Sequence, residues 1–389
     1  MIRTDSRRGR TALAVAHCAG LVDMVALPVW VGALIQHYRF DPQQAGLVVT
    51  LFLVGAVFAS IVVAPLFHRL ATGRWLAALG FACAAFAFGA LAGTAEFGAM
   101  AALHALGGVG IGMALSMTHG TVARSANPHR LFAMCGVALG VFALVFMGVV
   151  PPIVADAGGP VLFKVFTGVM IVGAAVSLLL FPAADAARSA PKAVAGRHGH
   201  SSRGVWGGVI GLCCMAVVQG MAFGFLERVG VDRGFGVERV TGVLIALGAV
   251  NLFPTALAAF LEKRWSARSV LLVGPVLQAL LVATVFTSPS FMPYAMAASL
   301  FVGVLLFTHV FGFGLLARLE TTGRVLAATP AMMMTGVAIG PVLGGTLVKL
   351  SGYQAIGLAA LVLGVIAVLA FMQLPRTDAL APALGQTTL

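Results

Sequence analysis

Long apolar segments, separated by short polar ones, occupy nearly the whole chain. A membrane-spanning helix needs about 20 consecutive, mostly apolar residues, and the sequence contains twelve runs of that kind. They lie at about 11–35, 44–67, 75–93, 97–119, 131–153, 161–182, 204–227, 239–261, 268–288, 291–316, 326–348 and 352–373. The pattern predicts an all-α membrane protein with twelve transmembrane helices.

The composition supports a multi-pass protein in a lipid bilayer. Apolar residues make up 60% of the chain and charged residues only 9%, whereas soluble proteins carry about 25% charged residues. The basic amino terminus leads into an apolar run that is too long for the core of a signal peptide, so we interpret it as a retained first helix.

The basic residues predict the orientation of the chain. With a cytoplasmic amino terminus, eighteen Lys and Arg residues fall in cytoplasmic segments and six fall on the opposite side. This asymmetry is the positive-inside pattern of a protein whose two termini are both cytoplasmic. We therefore expect a bacterial inner-membrane protein. The net charge of +12 reflects this topology, because the basic residues are scattered in short loops and indicate no nucleic-acid partner.

The chain also repeats itself. Arg124 recurs 194 residues later as Arg318. Arg130 recurs at the same offset as Arg324. Because six helices return the chain to its starting side, this internal repeat predicts two parallel six-helix bundles. The predicted units are an amino-terminal bundle at 1–182, a cytoplasmic linker at 183–203 and a carboxy-terminal bundle at 204–389.

One loop carries a family resemblance. The segment between the predicted second and third helices reads Ala64-Pro-Leu-Phe-His68-Arg69-Leu-Ala71-Thr-Gly73-Arg74. It resembles the major facilitator superfamily loop Gly-x-x-x-Asp-Arg-x-Gly-Arg-Arg/Lys, with His68 at the acidic position. Together with the twelve spans, the central loop and the repeat, this loop makes the whole chain similar to that family. The resemblance implies a cytoplasmic charge latch, formed by His68, Arg69, Arg74, Glu262 and Lys263.

Two further segments are similar to family signatures. His104-Ala-Leu-Gly107-Gly108-Val-Gly110-Ile-Gly112 matches the glycines of the fourth-helix pattern, with His104 at its arginine position. Gly340-Pro341-Val-Leu-Gly344-Gly345 lies on helix eleven, whereas drug and proton antiporters carry a similar sequence on helix five. The resemblance implies a secondary transporter that works by alternating access. We expect no enzyme activity, and the sequence contains no ATP-binding motif and no metal or cofactor site.

Ionisable groups inside spans are costly, so they indicate function. Asp23 is the only acidic residue that we place well inside a predicted span, and we interpret it as a proton site. The alternative is a structural carboxylate bonded to a neighbouring helix. His104 could share a proton with Asp23, or it could be a neutral histidine bonded to a backbone carbonyl.

Neutral polar residues suggest a solute site. In the family that the chain resembles, helices one, four, seven and ten line the cavity. Gln219 on helix seven is therefore the best candidate for binding a solute, with Asn251 and His309 as further candidates. Gln278 is expected to join helices. The charged segment from Glu227 to Arg239 is expected to be a solvated outer loop.

These residues predict a proton-coupled transporter, expected to be a monomer, that moves a neutral or cationic small organic solute across the lipid bilayer. Export is favoured over uptake. The alternatives are a proton-coupled uptake symporter for a small metabolite such as an organic acid, and a non-transporting sensor or assembly factor.

Overall fold

The structure is a computed structural model that describes residues 2–63, 73–183, 202–262, 264–319 and 324–374. The described residues form fourteen α-helices and no strands. The helices are α1 (Arg7–Gly20), α2 (Val22–Gln36), α3 (Pro42–Val63), α4 (Arg74–Leu91), α5 (Phe97–Ala123), α6 (Pro128–Ala157), α7 (Gly159–Leu180), α8 (Ser202–Asp232), α9 (Val237–Val250), α10 (Pro254–Leu261), α11 (Ala267–Thr287), α12 (Phe291–Leu319), α13 (Arg324–Ser351) and α14 (Gln354–Met372).

The fourteen helices make twelve spans, which confirms the predicted number. The first span is broken at Leu21, between α1 and α2, and the eighth is broken after Asn251, between α9 and α10. Pro254 explains the restart of the eighth span, because proline lacks the backbone N–H that a continuous helix would need there. Each break frees backbone polar groups at the centre of a span.

The repeat is visible in the helix boundaries. Within one residue, equivalent helices of the two halves begin 194 residues apart, as Arg74, Phe97 and Gly159 do with Ala267, Phe291 and Gln354. Most of the linker predicted at 183–203 lies outside the described residues. We call α1–α7 the first half and α8–α14 the second half.

Small residues bring α5 close to its neighbours. A Cβ atom added to Gly108 would lie 1.9 Å from the carbonyl oxygen of Phe52 in α3, and one added to Gly112 would lie 2.1 Å from that of Ala56. Gly110 approaches the backbone of α4 in the same way. Gly108, Gly110 and Gly112 of the fourth-helix signature therefore fix helix packing, because any side chain there would push these helices apart.

The connections between helices define two faces of the bundle. We call the side that carries the α2–α3, α4–α5 and α6–α7 connections the loop face, and the side where α1 begins and α14 ends the terminal face. The halves meet along three helix pairs: α2 with α8, α3 with α13, and α6 with α9. In contrast, α1, the terminal part of the first span, packs mainly against α5, α6 and α7 of its own half.

Candidate functional site

Asp23 lies at the break in the first span. It is the second residue of α2, and it is buried, with 8% of its surface exposed. As the second helical residue, it lies in the first turn of α2, where the backbone N–H groups point towards the break. These donors are free because the first turn of a helix has no intrahelical acceptors for them, and the helix dipole also favours an anion there. The break thus provides a binding place for a carboxylate at membrane depth.

His104 has other partners. Its Nδ1 atom lies 2.6 Å from the carbonyl oxygen of Met100, and the indole N–H of Trp30 donates to its Nε2 atom at 3.1 Å. A carbonyl can only accept and an indole can only donate, so the ring carries its proton on Nδ1 and is neutral. These contacts correspond to the second interpretation of His104, a neutral histidine bonded to a backbone carbonyl. They use both ring nitrogens and leave none for Asp23.

An aromatic cluster surrounds this histidine. Trp30 is fully buried and stacks on the His104 ring, with 5.4 Å between ring centroids and an interplanar angle of 28°. Phe52 and Phe166 meet the indole edge to face, at 5.1 and 5.0 Å. Such contacts add to the packing energy of the rings. Trp30 is therefore a packing residue of the first half.

The three candidate solute residues share a property. Each has a buried polar atom with no hydrogen-bond partner among the described protein groups, namely Oε1 of Gln219, Oδ1 of Asn251 and Nε2 of His309. They lie on α8, at the α9–α10 break and on α12. Buried polar atoms are normally paired, so these atoms are available to a ligand. Gln278 differs, since its amide donates to the carbonyl of Met215 across two helices, which confirms its interhelical role.

A second carboxylate was missed by the sequence reasoning. Helix α8 continues to Asp232, so the prediction that Glu227 begins a solvated loop was wrong. The Oε2 atom of Glu227 is shielded from solvent and has no hydrogen-bond partner among the described groups. It faces Gly32 of α2, where an added Cβ would lie 2.0 Å from it. Glu227 is therefore at the seam between the two halves.

The residues beside Glu227 explain why the helix continues. Arg228 forms an ion pair with Asp232 one turn later, at 2.7 Å, which stabilises a helix end. Arg228 also donates to the side chain of Gln36 in the first half. The alternation of charges suggested a loop, because a charge-bearing helix end and a polar loop have similar local composition. The four-residue spacing of Arg228 and Asp232, which suits an ion pair on a helix surface, was the sequence signal that the helix continues.

Further hydrogen bonds join the halves near the loop face. The Lys349 ammonium donates to Asp41 at 2.9 Å and to Gln43 at 3.2 Å. On the side of the second half, the Tyr353 hydroxyl donates to Asp232 at 2.5 Å. These contacts, with the Arg228–Gln36 hydrogen bond, tie the ends of α8 and α13 to the α2–α3 connection.

The seam between α3 and α13 continues this closure towards the centre. The Thr50 hydroxyl donates to the carbonyl of Ala338 at 2.7 Å and accepts from the N–H of Val342 at 3.2 Å. Gly345 meets the backbone of Pro42 so closely that an added Cβ would lie 2.1 Å from its carbonyl oxygen. The glycines and proline of α13, the eleventh span, thus form a contact surface between the halves.

The latch implied by the family resemblance stays a prediction. His68, Arg69 and Lys263 lie outside the described residues. Arg74 begins α4 and places its guanidinium 5.1 Å from the centre of the Trp75 ring, and Glu262 is exposed at the end of α10.

Comparisons with known proteins agree with this geometry. The family model described as Major Facilitator Superfamily matches residues 12–319. A comparison with curated proteins gives no match. The solved structures include a D-xylose-proton symporter (TM-score 0.75, 15% identity, covering 95% of this chain and 98% of that one).

Two further solved structures are similar at equally low identity. The nucleoside transporter NupG has a TM-score of 0.72 at 16% identity, with 94% of this chain and 97% of that chain covered. A bacterial homologue of the human lysosomal transporter Spinster, in an inward-facing and occupied conformation, has a TM-score of 0.72 at 15% identity, with 94% and 95% covered. At these identities the likeness establishes the fold, and the family match completes the assignment: this chain belongs to the Major Facilitator Superfamily.

Proposed function

We propose that this multi-pass membrane protein is a secondary active transporter that couples proton movement to the transport of a small organic solute. The observation that carries the proposal is the set of hydrogen bonds between the halves near the loop face. A bundle of two repeats closed by polar contacts at one face is suited to alternating access, since those contacts can be exchanged for others at the opposite face.

The proposed orientation rests on the positive-inside pattern, which supports a terminal face on the cytoplasmic side of a bacterial inner membrane. The closed loop face is then the outer gate, and the described state faces inward. The similar Spinster homologue was captured in an inward-facing conformation. This supports the proposal for the present chain.

Asp23 is the proposed proton carrier. It is buried in the first turn of α2, and no described cation forms an ion pair with it, so a proton can be added there without breaking one. Burial beside a helix break allows the site to exchange protons when the surrounding helices rearrange. His104 is the proposed positioning residue, because its two hydrogen bonds hold Trp30 and Met100 in the first half.

The solute site is proposed in the second half. The unpaired amide oxygens of Gln219 and Asn251 accept hydrogen bonds, so they suit hydroxyl or amino groups of a solute, and His309 adds a third polar contact. No Lys or Arg lies in the middle of any span that the structure describes. The solute class that fits is therefore neutral or cationic, with several hydrogen-bond donors.

Export by exchange with protons is the proposed direction, because a buried carboxylate such as that of Asp23 can serve a cationic solute and a proton in turn. Uptake by symport is the second candidate. It is favoured by the similarity to solved structures of a D-xylose-proton symporter and of a nucleoside transporter.

The test uses purified protein in liposomes that contain a pH-sensitive dye. Sugars, nucleosides and organic cations are added outside, and solute-induced proton movement is recorded. For exchange, an added solute drives protons outwards, and for symport it drives them inwards.

Asp23→Asn should abolish the solute-induced proton signal while the purified protein keeps its size-exclusion profile. Asp156→Asn, at an exposed position near the end of α6, is the matched control and should behave as wild type. A wild-type proton signal in Asp23→Asn would overturn the assignment of the proton site. Solute flux that is independent of pH would overturn proton coupling itself.

A further inference from the structure

We propose that Glu227 is a second protonation site and that the loop-face gate closes only when this carboxyl group is neutral. The inference rests on the proposed transport function and adds a gating step to it. It assigns a role to a side chain that lies on α8, in the second half, and touches α2, in the first half.

The geometry of the seam supports this assignment. The Oε2 atom of Glu227 lies against the position of Gly32, where an added Cβ would be 2.0 Å from Oε2 and 2.9 Å from Cδ. The residues before and after Gly32 on α2, from Trp30 to Leu34, are apolar and buried. Closure of the gate therefore transfers one carboxylate oxygen from water into an apolar contact.

No described cation forms an ion pair or a hydrogen bond with that oxygen. Arg228 points to Asp232 and to Gln36, and its adjacent position on the helix turns it about 100° away from Glu227. The hydroxyl of Tyr294 on α12 donates to the carbonyl of Leu226 at 2.8 Å and is occupied. The remaining charged and titratable groups near this end of α8 are engaged elsewhere or exposed: Arg233 on the carbonyls of Val285 and Phe286, Tyr353 on Asp232, Lys349 on Asp41, Arg239 over the Phe291 ring, and Glu238 in solvent.

The physical consequence is a dependence of the gate on protons. An ionised carboxylate that loses water and gains no partner is strongly disfavoured, whereas the neutral acid is tolerated. When the halves separate at the loop face, the same oxygen regains water and the acid can ionise. Lower pH on the loop side therefore favours the closed gate, and higher pH favours its opening.

The experiment measures the gate directly and requires no solute. Spin labels are attached at Ala95→Cys and Ser290→Cys, exposed positions on the loop face of the first and second halves, after replacement of the five native cysteines. Double electron–electron resonance on protein in nanodiscs then gives the distance between the labels, and from it the fraction of molecules with a closed gate, between pH 5 and pH 9. In wild type this fraction should fall as pH rises.

The variants test the residue. Glu227→Gln keeps the size of the side chain and removes its charge, so the gate should stay closed across the pH range. Glu238→Gln removes an exposed carboxylate at the same face and should keep the wild-type pH dependence. Glu227→Asp keeps a titratable group and should keep a pH dependence, which separates titration from a folding defect. A pH response in Glu227→Gln equal to that of wild type would overturn the proposal.

Two glycines of the same seam give an independent check. Gly32→Ala places a methyl group on the Glu227 carboxyl group, so it should lower the closed fraction at every pH. Gly224→Ala on α8 faces α2 at an ordinary distance, 3.6 Å from Val31, and should be tolerated. Equal effects of the two alanines would contradict the close approach of Glu227 to Gly32.

The experiments can disprove the role of Glu227 and the role of Asp23 independently. A gate that ignores pH in wild type overturns the role of Glu227, while solute-induced proton movement through Asp23 can still be measured. Conversely, loss of proton coupling in Glu227→Gln with full coupling in Asp23→Asn would overturn the Asp23 assignment and support the Glu227 site.

Discussion

The contact between Trp30 and His104 predicts a measurable loss of stability in Trp30→Phe. The substitution removes the N–H that donates to Nε2 of His104 at 3.1 Å and leaves that nitrogen buried without a donor. An unsatisfied buried acceptor costs about 1–3 kcal/mol. The smaller ring also leaves a void among the neighbouring aromatic rings, which adds about 1–2 kcal/mol. We expect a total destabilisation of about 2–5 kcal/mol.

The assay is reversible unfolding of the purified protein in mixed micelles by sodium dodecyl sulfate, followed by tryptophan fluorescence and circular dichroism. Trp206→Phe is the matched control, because Trp206 is 54% exposed and its replacement should cost less than about 0.5 kcal/mol. A double-mutant cycle with His104→Leu should give a coupling of about 1–2 kcal/mol between the two side chains. Equal losses in Trp30→Phe and Trp206→Phe, or a coupling of zero, would refute the hydrogen bond and the neutral form of His104.

Three further predictions concern contacts within and between the halves. Thr50→Val removes both hydrogen bonds of the Thr50 hydroxyl with α13, so spin-label distances across the loop face should shift towards the open gate; unchanged distances would contradict these bonds. Gly108→Ala should destabilise the protein by about 2 kcal/mol or more through contact with the α3 backbone, whereas Gly136→Ala, with no atom within 4 Å, should not, and equal thermal shifts would disprove the packing. Burial tends to raise the pKa of Asp41, but the hydrogen bond from Lys349 and the backbone N–H donors hold this pKa below its usual value. Because the pKa of Asp41 is lowered, its contact with Lys349 stabilises the closed gate at neutral pH, and this stabilisation is lost as the pH falls through the lowered pKa. Asp41→Asn should therefore open the gate by a small, salt-sensitive amount at pH 7. An effect of Asp41→Asn seen only below pH 4 would contradict this sign.

Much of the architecture was predictable because the bilayer restricts the solutions. Backbone groups in hydrocarbon must be paired internally, so apolar runs of sufficient length become helices. The number of spans and the 194-residue repeat follow from that constraint and from the position of scarce arginines. The ends of spans were less predictable. Glu227 was assigned to a loop because a helix that carries charges beyond the apolar run looks like a loop in composition.

The side-chain partners could not be predicted in the same way. The sequence raised two interpretations for His104 and could not choose between them, since the choice depends on which residue faces it from α2. That residue is Trp30, 74 positions earlier. The break at Leu21 is equally tertiary in origin, and no proline marks it in the sequence.

The sequence by itself determined the membrane environment, the twelve spans, the two related halves and the polar residues available to a transport site. Those properties depend on the apolar content and spacing of each segment, which are local. The tertiary structure decided that Asp23 lies in the first turn of a half-helix, that His104 is satisfied by Trp30 and Met100, and that Glu227 meets Gly32 across the seam. Those contacts depend on how helices far apart in the chain rotate and approach one another, which hydrophobicity alone does not specify.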